Sequence, residues 1–150
     1  MTRVFRTAPW VLLAFVSIGC DEKLSDLTGP TPNLEPTFTS IQRDIFTNSD
    51  SSGRAACNSC HTTAGGRVPP VGMDLGGANA YTQLVNVASV QKPGAIRVVP
   101  GDPENSYLIH KLEGRSGIVG LRMPRNGPPF LTDGQIRVIK RWIENGAPND

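Results

Sequence analysis

The residues best placed to do chemistry in this chain are Cys57-Asn58-Ser59-Cys60-His61. The spacing is C-x-x-C-H, the attachment pattern of a c-type haem. Two thiols three positions apart can each add to one vinyl group of the same porphyrin. The residue that follows then lies beneath the iron, where an imidazole serves as proximal ligand. The sequence holds three cysteines, and the third, Cys20, closes an apolar N-terminal run. On this reading each cysteine has a separate role and no disulfide forms.

An electron-transfer haem needs a second strong axial ligand; without one the iron binds small molecules. The candidates are Met73, His110 and Met123. Met123 is favoured, because Leu121-Arg122-Met123-Pro124 lies on a Gly/Pro loop that Pro124, Pro128 and Pro129 stiffen. His110 falls on the helix face opposite Leu108 and Leu112, which points it to solvent. Met73, close after His61, is expected to pack with Leu75 at the porphyrin edge. A proximal histidine needs its second ring nitrogen held, and a carbonyl in the stretch Val68 to Pro70 is the expected acceptor. Arg67 is a candidate partner for a propionate.

The elements that must position these residues can be read from pattern. Phe38, Ile41, Ile45 and Phe46 fall at helical spacing with Arg43 and Asp44 opposite, predicting a first amphipathic helix. The polar stretch 48–53 is a loop, and the Gly/Pro-rich stretch 65–77 is a long one. Tyr81, Leu84 and Val85 predict a short helix over 78–87. Asp102-Pro103-Glu104 predicts a helix start running to about Leu112, with Asp102 as N-cap. Thr132 and Gln135 spell a capping box. Behind it Ile136, Ile139, Trp142 and Ile143 form one face, Arg137, Lys140, Arg141 and Glu144 the other, and Gly146 ends the helix. No strand pattern is visible, so the expected class is all-α with long loops.

The N-terminus reads as a targeting segment. Arg3 and Arg6 precede an apolar run of 12 residues, Ala8 to Gly19. A bilayer-spanning helix needs about 20 residues, so the run suits a signal peptide instead. Its ending, Val16-Ser17-Ile18-Gly19-Cys20, resembles a bacterial lipobox. That resemblance implies cleavage before Cys20 and acylation of its thiol, which anchors a protein to a membrane without a spanning helix. Residues 1–19 are thus the expected signal peptide and 20–37 the lipidated cysteine and flexible tether, rich in Pro, Thr and acidic residues. Residues 38–150 are the expected folded domain.

Charge points away from nucleic acid. The chain carries 15 basic and 13 acidic residues. Loss of Arg3 and Arg6 with the signal peptide leaves 13 of each, a neutral mature chain. Lys111, Arg115, Arg122, Arg125, Lys140 and Arg141 lie in the C-terminal half, and as a group they could steer an acidic partner.

The order of helix, C-x-x-C-H, Gly/Pro loop, middle helices, Met-Pro loop and amphipathic last helix resembles class I cytochrome c. The run from Met123-Pro124 through Leu131-Thr132, Gln135-Ile136 and Trp142-Ile143 to Gly146-Ala147 is similar to the endings of bacterial monohaem cytochrome domains. The resemblance implies a class I cytochrome c-like fold in which the first and last helices cross. It implies thioethers at Cys57 and Cys60, and His61 and Met123 as the iron ligands. The function it implies is one-electron transfer by an extracytoplasmic protein, periplasmic or at the cell surface and lipid-anchored to a bacterial membrane. The partners are other redox proteins there, and no substrate is transformed. A haem-based sensor or gas-binding protein, an electron-delivery accessory of an enzyme complex, and a non-haem dithiol or zinc site are the alternatives. The sequence departs from the family at Thr62, where a Gly often follows the haem histidine.

Overall fold

The computed structural model describes residues 29–150. The expected signal peptide and the expected acylation site Cys20 lie outside the described residues. Among the described residues no helix is long and apolar enough to cross a membrane.

The expectation of an all-α, class I cytochrome c-like fold is not met. The α-helices among the described residues are α1 (Phe38–Ile41), α2 (Tyr107–Glu113) and α3 (Asp133–Glu144). Helix α1 runs on as a π-helical segment, Gln42–Phe46. Single 3-10 turns stand at Cys57–Ser59, Ala64–Gly66, Pro70–Gly72 and Gly77–Asn79. Four isolated β-bridges tie the stretch 85–106, and most of the remaining chain is loop. The cause is compositional. The sequence contains 16 Gly and 13 Pro; prolines remove backbone donors, and many of the glycines sit at positive φ, which ends a helix.

Two predicted helices change in detail. Over 78–87 the chain forms one 3-10 turn followed by hydrogen-bonded turns, and a bridge joins Val85 to Val98. Tyr81 and Leu84 face the core as expected, but the bridge draws the following backbone into extended pairing. Asp102 caps a turn rather than a helix. Its carboxylate accepts from Asn105 N at 3.1 Å, and the helix begins later with Ser106 as N-cap.

The capping box forms as read: Thr132 Oγ1 accepts from Gln135 N at 3.2 Å, and Gln135 Oε1 accepts from Thr132 N at 2.9 Å. Ile136, Val138, Ile139, Trp142 and Ile143 are buried behind it. Helix α3 packs on α2. It reaches α1 through Trp142, whose ring lies 5.6 Å from that of Phe38. Tyr81 meets Phe38 edge-on at 5.2 Å and donates its hydroxyl to Ala147 O at 2.9 Å, tying the C-terminus to this aromatic group.

Packing extends N-terminal to Phe38, into the segment read as tether. Leu34 is buried in the core, and Thr31 Oγ1 accepts from Gln135 Nε2 at 3.1 Å. Residues 29–37 contain no helix or strand, yet Leu34 and Thr31 dock this stretch on the core.

Candidate functional site

A cavity of about 730 Å3 opens between the Cys57–His61 turn, the loop 70–75, helix α2 and the loop 120–126. Pockets for sizeable organic ligands span about 300–1,000 Å3. Cys57, Cys60, His61 and Met123 all line it, and so does Met73. His110 does not; its Nε2 lies 2.6 Å from Glu104 O, outside the cavity, as the helix-face argument predicted.

The turn that presents the thiols is fixed from below. Residues 47–56 wrap around Arg54, whose side chain is fully buried. Its Nε meets Asp50 Oδ2 at 2.9 Å. Its Nη1 donates to Ile45 O at 3.2 Å and Ala55 O at 3.0 Å, and its Nη2 to Asp44 O at 3.2 Å and Asn48 O at 3.3 Å. One guanidinium thereby joins the end of the first helix to the residues just before Cys57. The next turn closes on itself, with His61 N donating to Cys57 O at 2.9 Å. That short-range closure displays both thiols and the imidazole together.

The two thiols differ. Cys57 Sγ donates to Ile45 O at 3.4 Å, and burial pushes its pKa up to about 11, against the opposing charge of Arg54. At neutral pH it is a thiol, not a thiolate. Cys60 is exposed. A dithiol redox centre depends on a stabilised thiolate, so the Cys57 environment opposes that alternative. Among the described residues no three His, Cys, Asp or Glu side chains gather as a metal site, and the zinc alternative has no ligand set there.

His61 is half-buried. Burial holds its pKa below the ordinary value; the nearby charge of Arg97 acts in the same direction, and the backbone of Met73 and Pro70 opposes both. The ring is therefore neutral near pH 7, the state in which a histidine binds a metal. Its Nδ1 is buried and has no hydrogen-bond partner. The Pro70 backbone, within the stretch expected to supply the acceptor, acts on the ring together with that of Met73 and favours its protonated form, but at neither is a well-formed Nδ1 hydrogen bond closed. Leu75 N donates to His61 O at 2.9 Å, which returns the Gly/Pro loop to its starting point. Asp74 closes that loop from inside, accepting from Thr63 Oγ1 at 2.6 Å and Gly76 N at 2.8 Å.

Met123 comes from a separate wall. Its N donates to Lys111 O at 2.8 Å, and Arg122 Nε donates to Leu112 O at 2.7 Å, so the loop lies along the end of α2. Gly114 permits this approach: its φ is 72°, and a Cβ there would stand 2.9 Å from Arg122 Cδ. Met73, by contrast, belongs to the His61 wall, where its backbone lies against the imidazole. That leaves Met123 as the thioether set on a different element from the histidine.

Two cavity residues were not singled out for this site by the sequence. Arg97 and Lys111 are both buried and both line it. Arg67, the candidate for a propionate, is exposed, donates to Ser59 O at 3.2 Å and lies off the cavity wall. Nothing in residue type distinguishes Arg97 from Arg67; the difference is tertiary. Several members of the basic group in the C-terminal half are also engaged. Arg115 pairs with Glu104 at 2.8 Å, Lys140 with Glu113 at 2.7 Å, and Arg122 lies 4.2 Å over the Phe130 ring.

An apolar cavity of this volume, lined by two thiols, a neutral imidazole and methionine sulfurs on two walls, has room for a sizeable organic ligand and soft donors for a metal carried on it. No protein-family model, curated protein or solved structure matches the chain.

Proposed function

We propose that this chain is a monohaem c-type electron carrier, held at the outer side of a bacterial membrane by acylation of Cys20. The observation that carries the reading is that Cys57, Cys60, His61 and Met123 line one apolar cavity. Cys57 and Cys60 would hold the haem as thioethers, each S–H adding across one vinyl group with no leaving group. His61 and Met123 would be the axial ligands. A haem so bound supplies a one-electron ferrous/ferric couple, raised in potential by the thioether sulfur.

The protein's part is positional. Arg54 and the closed turn fix His61 relative to the two thiols. The hydrogen bonds of Met123 and Arg122 to α2 hold the thioether on its own wall. Phe46, Leu75, Leu84, Leu108 and Leu112 keep the cavity interior apolar. Partners would be redox proteins at the same membrane. Because Arg115, Lys140 and Arg141 are paired, any steering of an acidic partner falls to the exposed Arg125, and salt dependence of electron exchange tests it.

The test is an optical spectrum of the full chain expressed with a haem-maturation system. Sharp ferrous c-type bands and a weak far-red sulfur-to-iron band in the oxidised state are expected. Met123→Ala should abolish the far-red band and Met73→Ala should leave it. Loss of the band in the Met73 variant alone would exchange the two methionines. Bound haem without the band in the native chain favours the sensor reading, and no covalent haem refutes the proposal.

A further inference from the structure

Three buried side chains among the described residues carry a positive charge: Arg54, Arg97 and Lys111. Arg54 is neutralised by Asp50. No ion pair reaches Arg97 or Lys111 among the described residues. Arg97, 7% exposed, donates from Nη1 to Gln83 O at 2.7 Å and from Nη2 to Val71 O at 2.9 Å. A guanidinium has five N–H donors, so most of its capacity is left over. Lys111, also 7% exposed, donates from Nζ to Val119 O at 2.8 Å. Burial holds both pKa values below the ordinary range.

An unpaired buried charge costs several kcal/mol unless a counter-charge arrives. Both residues line the cavity, and the other charged or titratable side chains facing it are Cys57 and Cys60, His61 on the same turn, Tyr107 on α2 and Arg125 on the following loop. None is a carboxylate. The two cations are also near each other along the chain's folding: Leu108 N donates to Arg97 O at 2.9 Å, and Lys111 lies one turn further along α2. The cavity is thus apolar inside, with positive charge and no negative charge of its own.

We infer that Arg97 and Lys111 form a carboxylate-binding site in the cavity wall, taking the two propionates of the haem. This rests on the haem reading above. The site orients the ligand, because only one edge of a porphyrin carries carboxylates. It also keeps those carboxylates ionised, because an adjacent guanidinium favours the charged form. These are positioning residues, and because they line the same cavity as His61 and Met123 their charge would be read in the potential of a haem held there.

The test is a redox titration of the haem-loaded full chain from pH 5 to 8. In the native protein the midpoint should be flat across this window. In Arg97→Gln a propionate in the apolar cavity has lost its cationic partner, so burial raises its affinity for protons into this window, and its protonation removes negative charge near the iron. The midpoint should then rise as pH falls, by up to a tenfold shift in the redox equilibrium, about 59 mV for one electron. Arg97→Lys should restore the flat profile. A merely structural role for Arg97, holding the Gln83 and Val71 carbonyls, would lower stability and leave the profile flat, and that result overturns the inference. A sloping profile in the native protein overturns it as well. If Arg97→Gln fails to mature, Lys111→Met decides on the same reading: a slope supports the site and a flat line refutes it. Absence of covalent haem from the native chain overturns the haem reading and this inference together, whereas bound haem with flat variants removes only this one.

Discussion

Replacing Arg54 by Met should cost about 3–5 kcal/mol, the usual result of removing one partner from a buried ion pair. The structure explains why the loss should fall in that range. The Arg54 and Asp50 side chains are 0% and 3% exposed, so water does not reach the carboxylate that is left behind. Only Ser52 and, at 3.4 Å, Gln135 remain as side-chain donors to it. Four carbonyls, those of Asp44, Ile45, Asn48 and Ala55, lose a charged donor at once. A loss of this size is a large fraction of an ordinary domain's 5–15 kcal/mol. The assay is denaturant unfolding of the full chain, with the yield of covalent haem as a second reading, since the same contacts fix the Cys57 turn. Adding Asp50→Asn to the variant should recover part of the loss by removing the stranded charge. The pH dependence has a definite sign. Burial works to raise the Asp50 pKa, but the Ser52 hydrogen bond and the Arg54 charge and hydrogen bond outweigh it and hold it below the ordinary carboxylate value. The pair's contribution is therefore complete above the unfolded-state value of about 4 and is lost as pH falls through the lower folded value. The stability gap between native and Arg54→Met should be greatest at the upper end of pH 5 to 8 and narrow toward acid, where the variant's stranded carboxylate takes up a proton. A loss under about 1 kcal/mol at pH 7 would show that the loop does not depend on this guanidinium.

Three further outcomes follow from the packing. Leu34→Ala should destabilise by about 2–5 kcal/mol in the same unfolding assay; no change would place the segment before Phe38 outside the cooperative unit. Thr132→Ala removes one half of the capping box and should cost about 1 kcal/mol, measured by thermal unfolding, while Thr132→Ser should cost much less. In haem-free protein with Cys20→Ser, a thiol reagent at pH 8 should modify Cys60 rapidly and Cys57 slowly, since Cys57 is half-buried and its pKa is pushed up to about 11. Equal rates by mass spectrometry would contradict that burial.

What the sequence made legible was short-range. The capping box, the buried face of α3 and the apolar face of Phe38, Ile41, Ile45 and Phe46 depend on residues within a turn or two of each other, and all formed where read. The C-x-x-C-H spacing likewise placed Cys57, Cys60 and His61 on one turn. What was not legible was long-range. The stretch 78–87 has an apolar pattern that suits a helix, but Val85 pairs with Val98 and Ala88 with Ile96, partners no local pattern announces. The proline at 103 fits a helix start as well as it fits the turn it actually occupies. The docking of Leu34 depends on a core assembled from three distant helices.

The buried basic residues show why a helix-poor chain is hard to read and how it holds together. Arg97 and Lys111 look like surface charges by residue type, because such groups are rarely buried unless paired. A loop-rich interior has the opposite need. Its carbonyls lack the regular partners that a helix supplies, and a buried carbonyl left without a donor is costly. Here basic side chains provide those donors. Arg54 serves four carbonyls around the 44–55 loop, Arg97 joins Gln83 to Val71, Lys111 takes Val119, Arg122 takes Leu112 and Lys92 takes Gly117. Apart from the Arg54–Ala55 bond, each joins segments that have no common helix or sheet. Arg54 carries its own counter-ion because its position is sealed by protein. Arg97 and Lys111 stand at the cavity wall without one, so the same side chains that close the loops leave positive charge directed at whatever fills the cavity. If the inferred carboxylate site holds, scaffold and ligand recognition are built from the same cations, and the pH profile of the potential separates the two roles where a stability measurement alone does not.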